Sequence, residues 1–245
     1  MKKKFWVLAS VIIPSVVCGE PLNLAIDNEW QTSPYNAKRV NYTPFPLLSW
    51  DNNLLYIDGQ EAGAIVWKQN QQTLKVKALW FYQRSYDHED GSSAAMRQLN
   101  DRRTTMMAGI SYDAITSYGM FSAQLARDAL GLSDGWFGTF SWTGYLSSGD
   151  WALIPSAGVD WEDARQTDYY FGVSKEESRR SGLTQWSPGS SLTPWLQLAL
   201  DYQFAPQWDT FISARINYLS NDVRQSPMVN QSQTYVIDLG IKYRF

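Results

Sequence analysis

The chain has 245 residues, of which 15% are aromatic, and a formal net charge of −3. That acidic balance argues against nucleic acid as a partner and against a basic membrane-surface patch. The mean hydropathy is −0.36, and no apolar run beyond residue 19 is long enough to cross a bilayer as a helix, so a helical membrane protein is excluded; a β-barrel is not, because its wet-facing residues dilute the hydropathy.

The chain opens MKKKFWVLASVIIPSVVCGE. Lys2, Lys3 and Lys4 form a basic stretch, residues 5–17 an apolar one, and Val17 and Gly19 satisfy the small-residue rule for a cut. This reads as a secretory signal peptide over residues 1–19, cleaved after Gly19 and too short to span. A lipoprotein reading would use Cys18, but Val17 before it is not small. Cys18 is the only cysteine, so the exported chain would have no disulfide and must be held by its core or its hydrogen-bond ladder. Removing the leader takes three lysines from 21 basic residues against 24 acids, and moves the charge from −3 to −6.

Residues 20–245 read as one domain of alternating strands. Residues 22–30, 44–50, 54–60 and 62–68 are short candidates. In TLKVKALWF, Leu74, Val76, Ala78 and Trp80 alternate with Lys75, Lys77 and Leu79. Residues 103–112, 119–128 and 136–146 follow. In WALIPSAGVDW, Trp151, Leu153, Pro155, Ala157, Val159 and Trp161 share one face. LTPWLQLALDYQF alternates from Leu192 to Phe204, with Trp195 the exception on its polar side, and APQ joins it to WDTFISARINYL. The chain closes on TYVIDLGIKYRF, where Tyr235, Ile237, Leu239, Ile241, Tyr243 and Phe245 form one greasy row. Such a period of two defines a strand with one apolar and one wet face, and the longer runs approach the ~9–11 residues of a tilted membrane strand. The count is twelve, or ten if LLYIDGQEAGAIVWK is a single strand. Short connections (51–53, 69–72, 113–118, 147–150, 205–207) alternate with long ones (31–43, 81–102, 163–191, 220–233), with 129–135 intermediate. An all-β, antiparallel up-and-down transmembrane barrel in an outer membrane fits this segregation, and its 12 Trp and 14 Tyr fit aromatic girdles at two interfaces.

Four groups of side chains are candidates for chemistry or contact. His88, the only histidine, lies among Asp87, Glu89 and Asp90 with Ser92 and Ser93 following. It is either part of a solvated acidic loop or the base of a barrel hydrolase, with no G-x-S-x-G elbow present. The acids there lack the ligand spacing of a dedicated calcium loop, and no metal or cofactor is called for. SKEESRRSGL packs Glu176, Glu177, Arg179 and Arg180 into a long connection. It reads as a solvated loop, a folded-in loop whose Arg179 or Arg180 pairs with lumen carboxylates such as Asp201 or Asp238, or a partner contact; Asp168, Tyr169 and Tyr170 would anchor it at the rim. Arg102 and Arg103 are placed to hold lipopolysaccharide phosphates bidentately or to form a rim salt bridge with Asp101. SPMV reads as a turn set by Pro227. In the lumen, Lys75, Lys77, Arg215, Asp238, Lys242 and Arg244 either line a wet path for small solutes or form a closed polar plug.

MRQLNDRRTTMMAGISYD (96–113), DYYFGVSKEESRRSGL (168–183), SPMV (226–229) and the terminal YRF together resemble the MipA/OmpV family, nearly throughout the chain beyond its leader. The resemblance implies an outer-membrane barrel of a Gram-negative bacterium, and the weak chemistry around His88 leaves no enzymatic activity expected. It also implies a scaffold role that brings a murein lytic transglycosylase together with a bifunctional penicillin-binding murein synthase. Tyr243 and Phe245 resemble the terminal signal that barrel-assembly machinery reads in outer-membrane proteins. Other expected contacts are outer-membrane lipid and lipopolysaccharide.

Overall fold

The computed structural model describes residues 22–245 apart from 39 and 83. The expected leader and Cys18 lie outside the described residues. Thirteen strand segments form one antiparallel sheet: β1 (Asn23–Thr32), β2 (Val40–Asp51), β3 (Leu55–Asp58), β4 (Glu61–Gln69), β5 (Gln72–Tyr82), β6 (Thr105–Thr116), β7 (Gly119–Asp128), β8 (Trp136–Thr143), β9 (Leu146–Ser148), β10 (Trp151–Glu162), β11 (Ser191–Ala205), β12 (Trp208–Tyr218) and β13 (Gln233–Arg244). β8 and β9 both pair with β10, along residues 156–162 and 151–153, so they are two pieces of one interrupted strand. β13 pairs with β1 and β10 with β11, which closes the sheet as a twelve-stranded barrel. Closure pairs the first strand with the last, so the sheet ends in no edge strand, the condition for β-structure in a bilayer.

The alternation places side chains as the sequence predicts. On β13 the row Tyr235, Ile237, Leu239 and Ile241 faces outward and is exposed, while Thr234, Val236, Asp238 and Gly240 are buried toward the lumen. Aliphatic side chains such as Ile26, Val76, Ile110, Leu125, Leu198 and Ile212 form the exposed middle of the wall. Aromatics bound it at both levels. Trp30 and Tyr42 meet at 5.3 Å at one end, and Trp208, Tyr243 and Phe245 form a chain of rings at 4.8 Å spacing at the other. Trp195, the exception in its strand, points into the lumen, where its Nε1 donates to Asp160 at 2.9 Å and Arg215 lies 4.1 Å over its ring. Lumen-facing aromatics sit on glycines of the paired strand: Phe211 on Gly240 and Trp195 on Gly158. A Cβ on Gly240 would meet Phe211 at 2.3 Å, and one on Gly158 would meet Trp195 at 2.5 Å. The glycines make room for rings where a polar lumen has no other place for them.

The count of twelve holds, and boundaries shift in places, as in β2, which begins at Val40 rather than 44. LLYIDGQEAGAIVWK is two strands, joined at Gly59 and Gln60, which gives twelve rather than ten. Residues 113–118 are not a turn, because β6 continues to Thr116 and only residues 117–118 turn. The expected strand 136–146 breaks at Gly144 and Tyr145. The remaining short turns lie at the end where Phe245 N–H bonds Leu22 O at 3.1 Å, and the long connections lie at the other, apart from the tight β3–β4 turn.

Candidate functional site

The long connections are not loose. They carry three short helices, α1 (Ala164–Phe171), α2 (Lys175–Ser181) and α3 (Asn221–Arg224), none of which the strand pattern predicted. Each begins with a polar cap: Asp163 accepts from the Gln166 N–H, Ser174 from Glu177, and Ser220 from Val223. SKEESRRSG is therefore helix grammar rather than an ion-pair loop. Ser174 and Glu177 form a reciprocal capping box, acids occupy the first turn, Arg179 and Arg180 the last, and Gly182 ends the helix at φ 76°. The signal was legible as S-x-x-E followed five residues later by glycine.

Four connections from around the circumference converge on one apolar core. Tyr35 comes from β1–β2; Tyr86, Met96 and Leu99 from β5–β6; Tyr170, Phe171 and Val173 from β10–β11; Leu219, Val223 and Met228 from β12–β13. Segments anchored on separate sides of a ring meet only by crossing its mouth, so they form a cap over the end of the barrel opposite the termini. The three motif segments are its frame. Arg102 is buried at 6% exposure and donates to Glu177 Oε1 at 2.9 Å, Gly172 O at 3.0 Å and Asn100 O at 3.0 Å. The other carboxylate oxygen of Glu177 accepts the Ser174 N–H at 3.0 Å, and Oε1 also accepts the Asn100 N–H at 2.9 Å. Burial pushes the Glu177 carboxyl up, but the N–H groups of Asn100 and Ser174 and the Arg102 guanidinium outweigh it and hold the group below its usual range. Tyr169 and Tyr170 grip both backbone groups of Arg103, the first accepting its N–H at 2.9 Å and the second donating to its C=O at 3.0 Å. Ser226 of SPMV donates to Phe171 O at 2.6 Å, and Val229 N–H closes the turn on Ser226 O at 3.0 Å with Pro227 inside it.

These contacts correct several pairings expected from sequence. Arg179 is exposed, and Arg180 bonds the Gln98 carbonyl and the Asn100 side chain; neither reaches Asp201 or Asp238, which lie in the wall with Lys242 and Ser213. Asp101 makes no salt bridge with Arg102, which turns inward to Glu177; it accepts instead from His88, backbone N–H at 3.0 Å and Nδ1 at 2.6 Å. Tyr170 is fully buried in the cap instead of standing at a lipid interface, and Asp168 and Arg103 are exposed. The hydrolase constellation is not assembled. Ser92 donates to Asn36 and Ser93 accepts the Met96 N–H, so neither faces His88. Asp87, His88 and Asp101 bring one ligand atom each within 4.8 Å, and the expected acids Glu89 and Asp90 are not among them.

Below the cap is a lumen cavity of about 1120 Å³. In its lining, Lys75 pairs with Asp113 at 3.0 Å, Lys77 with Glu61 at 2.7 Å and Arg215 with Asp160 at 2.8 Å, while Lys68 donates to the Asn53 side chain at 3.1 Å; Arg244, outside that lining, pairs with Asp209 at 2.8 Å. Lys242 lies 3.7 Å from Asp201.

A closed antiparallel barrel with an apolar belt, a charged lumen and a loop-built cap defines an outer-membrane protein. A solved outer membrane channel from Pseudomonas putida F1 shares the fold at a TM-score of 0.50 and 11% identity, matching 97% of this chain and 100% of its own. The family model for MltA-interacting protein MipA matches residues 29–245, and the chain belongs to that family. It is 36% identical over 214 residues to the MltA-interacting protein of Escherichia coli (strain K12), covering 86% of this chain and 85% of that one. It is 22% identical over 161 residues to the outer membrane protein OmpV of Vibrio cholerae, covering 66% of this chain and 62% of the relative.

Proposed function

We propose that the chain is a non-enzymatic outer-membrane scaffold that docks a murein lytic transglycosylase and holds it beside a bifunctional penicillin-binding murein synthase. The observation that carries this reading is the 36% identity, over most of both chains, to a relative named for interaction with MltA. The geometry supports it by subtraction. The buried residues of three motif segments build the cap, so in this reading a periplasmic partner meets the opposite rim. That rim exposes Leu54 (62%) and Tyr118 (82%) on short turns, with Tyr145 (56%) at the strand break just above the β9–β10 turn. A standard interface needs about 800 Å² per partner, so the partner spans several turns or also leans on the wall. A photocrosslinker at Tyr118 in intact envelopes is expected to recover a lytic transglycosylase and, with it, the synthase. Recovery of the transglycosylase alone removes the ternary part, and recovery of neither overturns the reading.

Tyr243 and Phe245 serve in this reading as the assembly signal. Deleting Phe245 is expected to reduce the heat-modifiable barrel in the outer membrane; unchanged assembly would refute that role. Of the two arginines expected to meet lipopolysaccharide phosphates, Arg103 is exposed on the cap and would do so in this reading, whereas Arg102 is buried. A second reading, small-solute conduction, is favoured by the lumen cavity. Planar-bilayer conductance by the intact chain would support it, and silence from correctly folded protein would exclude it.

A further inference from the structure

The barrel is closed as a sheet, yet one part of its wall has no ladder. β3 is only four residues long, and the β3–β4 turn at Gly59 and Gln60 stops partway up the wall. β2 pairs with β3 only at Ser49, Trp50 and Asp51, and β5 pairs with β4 no higher than Leu79. Above that turn, residues 40–48 of β2 and residues 80–82 of β5 have no strand paired between them among the described residues. The loops close this gap on top, where Lys38 N–H bonds Asp90 O at 3.1 Å.

The sequence of β2 is built for that gap. Gly59 N–H donates to Leu48 O at 2.8 Å, so Leu48 directs its backbone groups toward β3. Backbone direction alternates along a strand, so residues 40, 42, 44 and 46 direct theirs to the same side. Two of these are Pro44 and Pro46, which have no N–H to leave unpaired. Prolines at 45 or 47 would break the ladder to β1; at 44 and 46 they cost no bond and make the edge a poor template for another strand. Two apolar side chains stand on the inward row beside it, Phe45 and Leu47, opposite Asp27 and Ala25. At the sill is Gln60, 6% exposed, lining the lumen cavity, with neither its amide nitrogen nor its amide oxygen partnered among the described residues. Its neighbour Glu61 is already satisfied by Lys77 at 2.7 Å, so the free donor and the free acceptor at the sill are those of Gln60 itself.

We propose that this gap is a lateral port to the outer leaflet that admits a neutral single-chain amphiphile, its amide or alcohol head paired with Gln60 and its apolar chain lying past Phe45 and Leu47 into the bilayer. A carboxamide that both donates and accepts selects such a head, and a buried polar group left unpaired is what a ligand's head would relieve.

The full chain, with Cys18 replaced by serine, carries a bimane label at F45C, Q124C or L239C and is reconstituted in vesicles of dibrominated phosphatidylcholine. Position 124 is a lumen control on β7, which is paired on both sides, and position 239 is a lipid-facing control. Quenching at F45C comparable to L239C, with Q124C unquenched, is expected; F45C behaving like Q124C means a closed wall and overturns the port. Dodecanoyl ethanolamide is then titrated by calorimetry into parent and Q60A chains. Binding weakened about tenfold or more in Q60A is expected for a lost pair of hydrogen bonds. No binding by the parent, as when only water occupies Gln60, or equal affinity in both chains, overturns the head-group assignment. Heat-modifiability of each variant verifies that the barrel has formed.

Discussion

The wall and the cap of this molecule bury opposite things. The wall turns aliphatic side chains such as Leu198, Ile212 and Leu239 outward and keeps its ion pairs inside. The cap turns Tyr170, Phe171 and Met228 inward and leaves Arg179 and Asp168 outside. One sequence thus folds under two solvents. The wall meets hydrocarbon and satisfies its backbone strand by strand; the cap meets water and holds a small globular core. The cap core is too small to be strongly stable alone, and the buried Arg102–Glu177 pair supplies the connection between its segments.

That contrast is broken most sharply at the pair itself. E177L leaves the Arg102 guanidinium buried without its counter-charge, and removing one partner of such a pair costs about 3–5 kcal/mol. The cap is expected to open to trypsin at Arg97 and Arg103, while the barrel stays heat-modifiable on gels. Joint loss of cap and barrel would show that the two regions are one cooperative unit. R102M with E177L is expected to be milder than E177L alone, because no charge is stranded, although α2 still lacks its capping box.

The converse change strikes the wall and spares the cap. L239R puts a cation in the middle of the lipid-facing row, at a cost of about 2–4 kcal/mol near the bilayer midplane. Reduced refolding into vesicles, with unchanged cap proteolysis in whatever does fold, is the expected outcome. Equal refolding of variant and parent would place residue 239 off the lipid.

How much of this was legible in sequence follows from the same division. The wall was readable because membrane strands impose a period of two, and the pattern from Tyr235 to Phe245 needs no distant information. Boundaries failed where two constraints competed, as at Thr116, which continues a strand through a polar stretch. The cap's helices were partly legible, since Ser174, Glu177 and Gly182 spell a start and a stop. Its assembly was not: Arg102 and Glu177 are 75 residues apart, and no local pattern says which acid a buried arginine will choose. Asp101, the neighbour in sequence, lost to Glu177 because the backbone at Asn100 and Ser174 had already fixed that carboxylate in place.

The smallest effect lies at the cap's edge, where His88 and Asp101 join the two ends of one connection. The hydrogen bond to Asp101 raises the His88 imidazole above its ordinary value. Burial pushes the Asp101 carboxyl up, but the backbone and ring bonds from His88 outweigh it and hold the group below its ordinary value. A raised histidine stabilises fully below its unfolded-state pKa and loses that contribution as pH rises through the folded one. A lowered carboxylate stabilises above its unfolded-state pKa and loses that contribution as pH falls through the folded one. The link is therefore complete only between the ordinary carboxylate and imidazole values, from about pH 4 to about 6.5. Amide protection at His88 and Gly91, corrected for intrinsic exchange, is expected to peak in that window and to fall on both sides, while the Arg103 amide, held by Tyr169, stays flat. H88Q is expected to abolish the alkaline limb and leave Arg103 unchanged; an identical profile in parent and H88Q would mean that backbone bonds alone hold this edge of the cap.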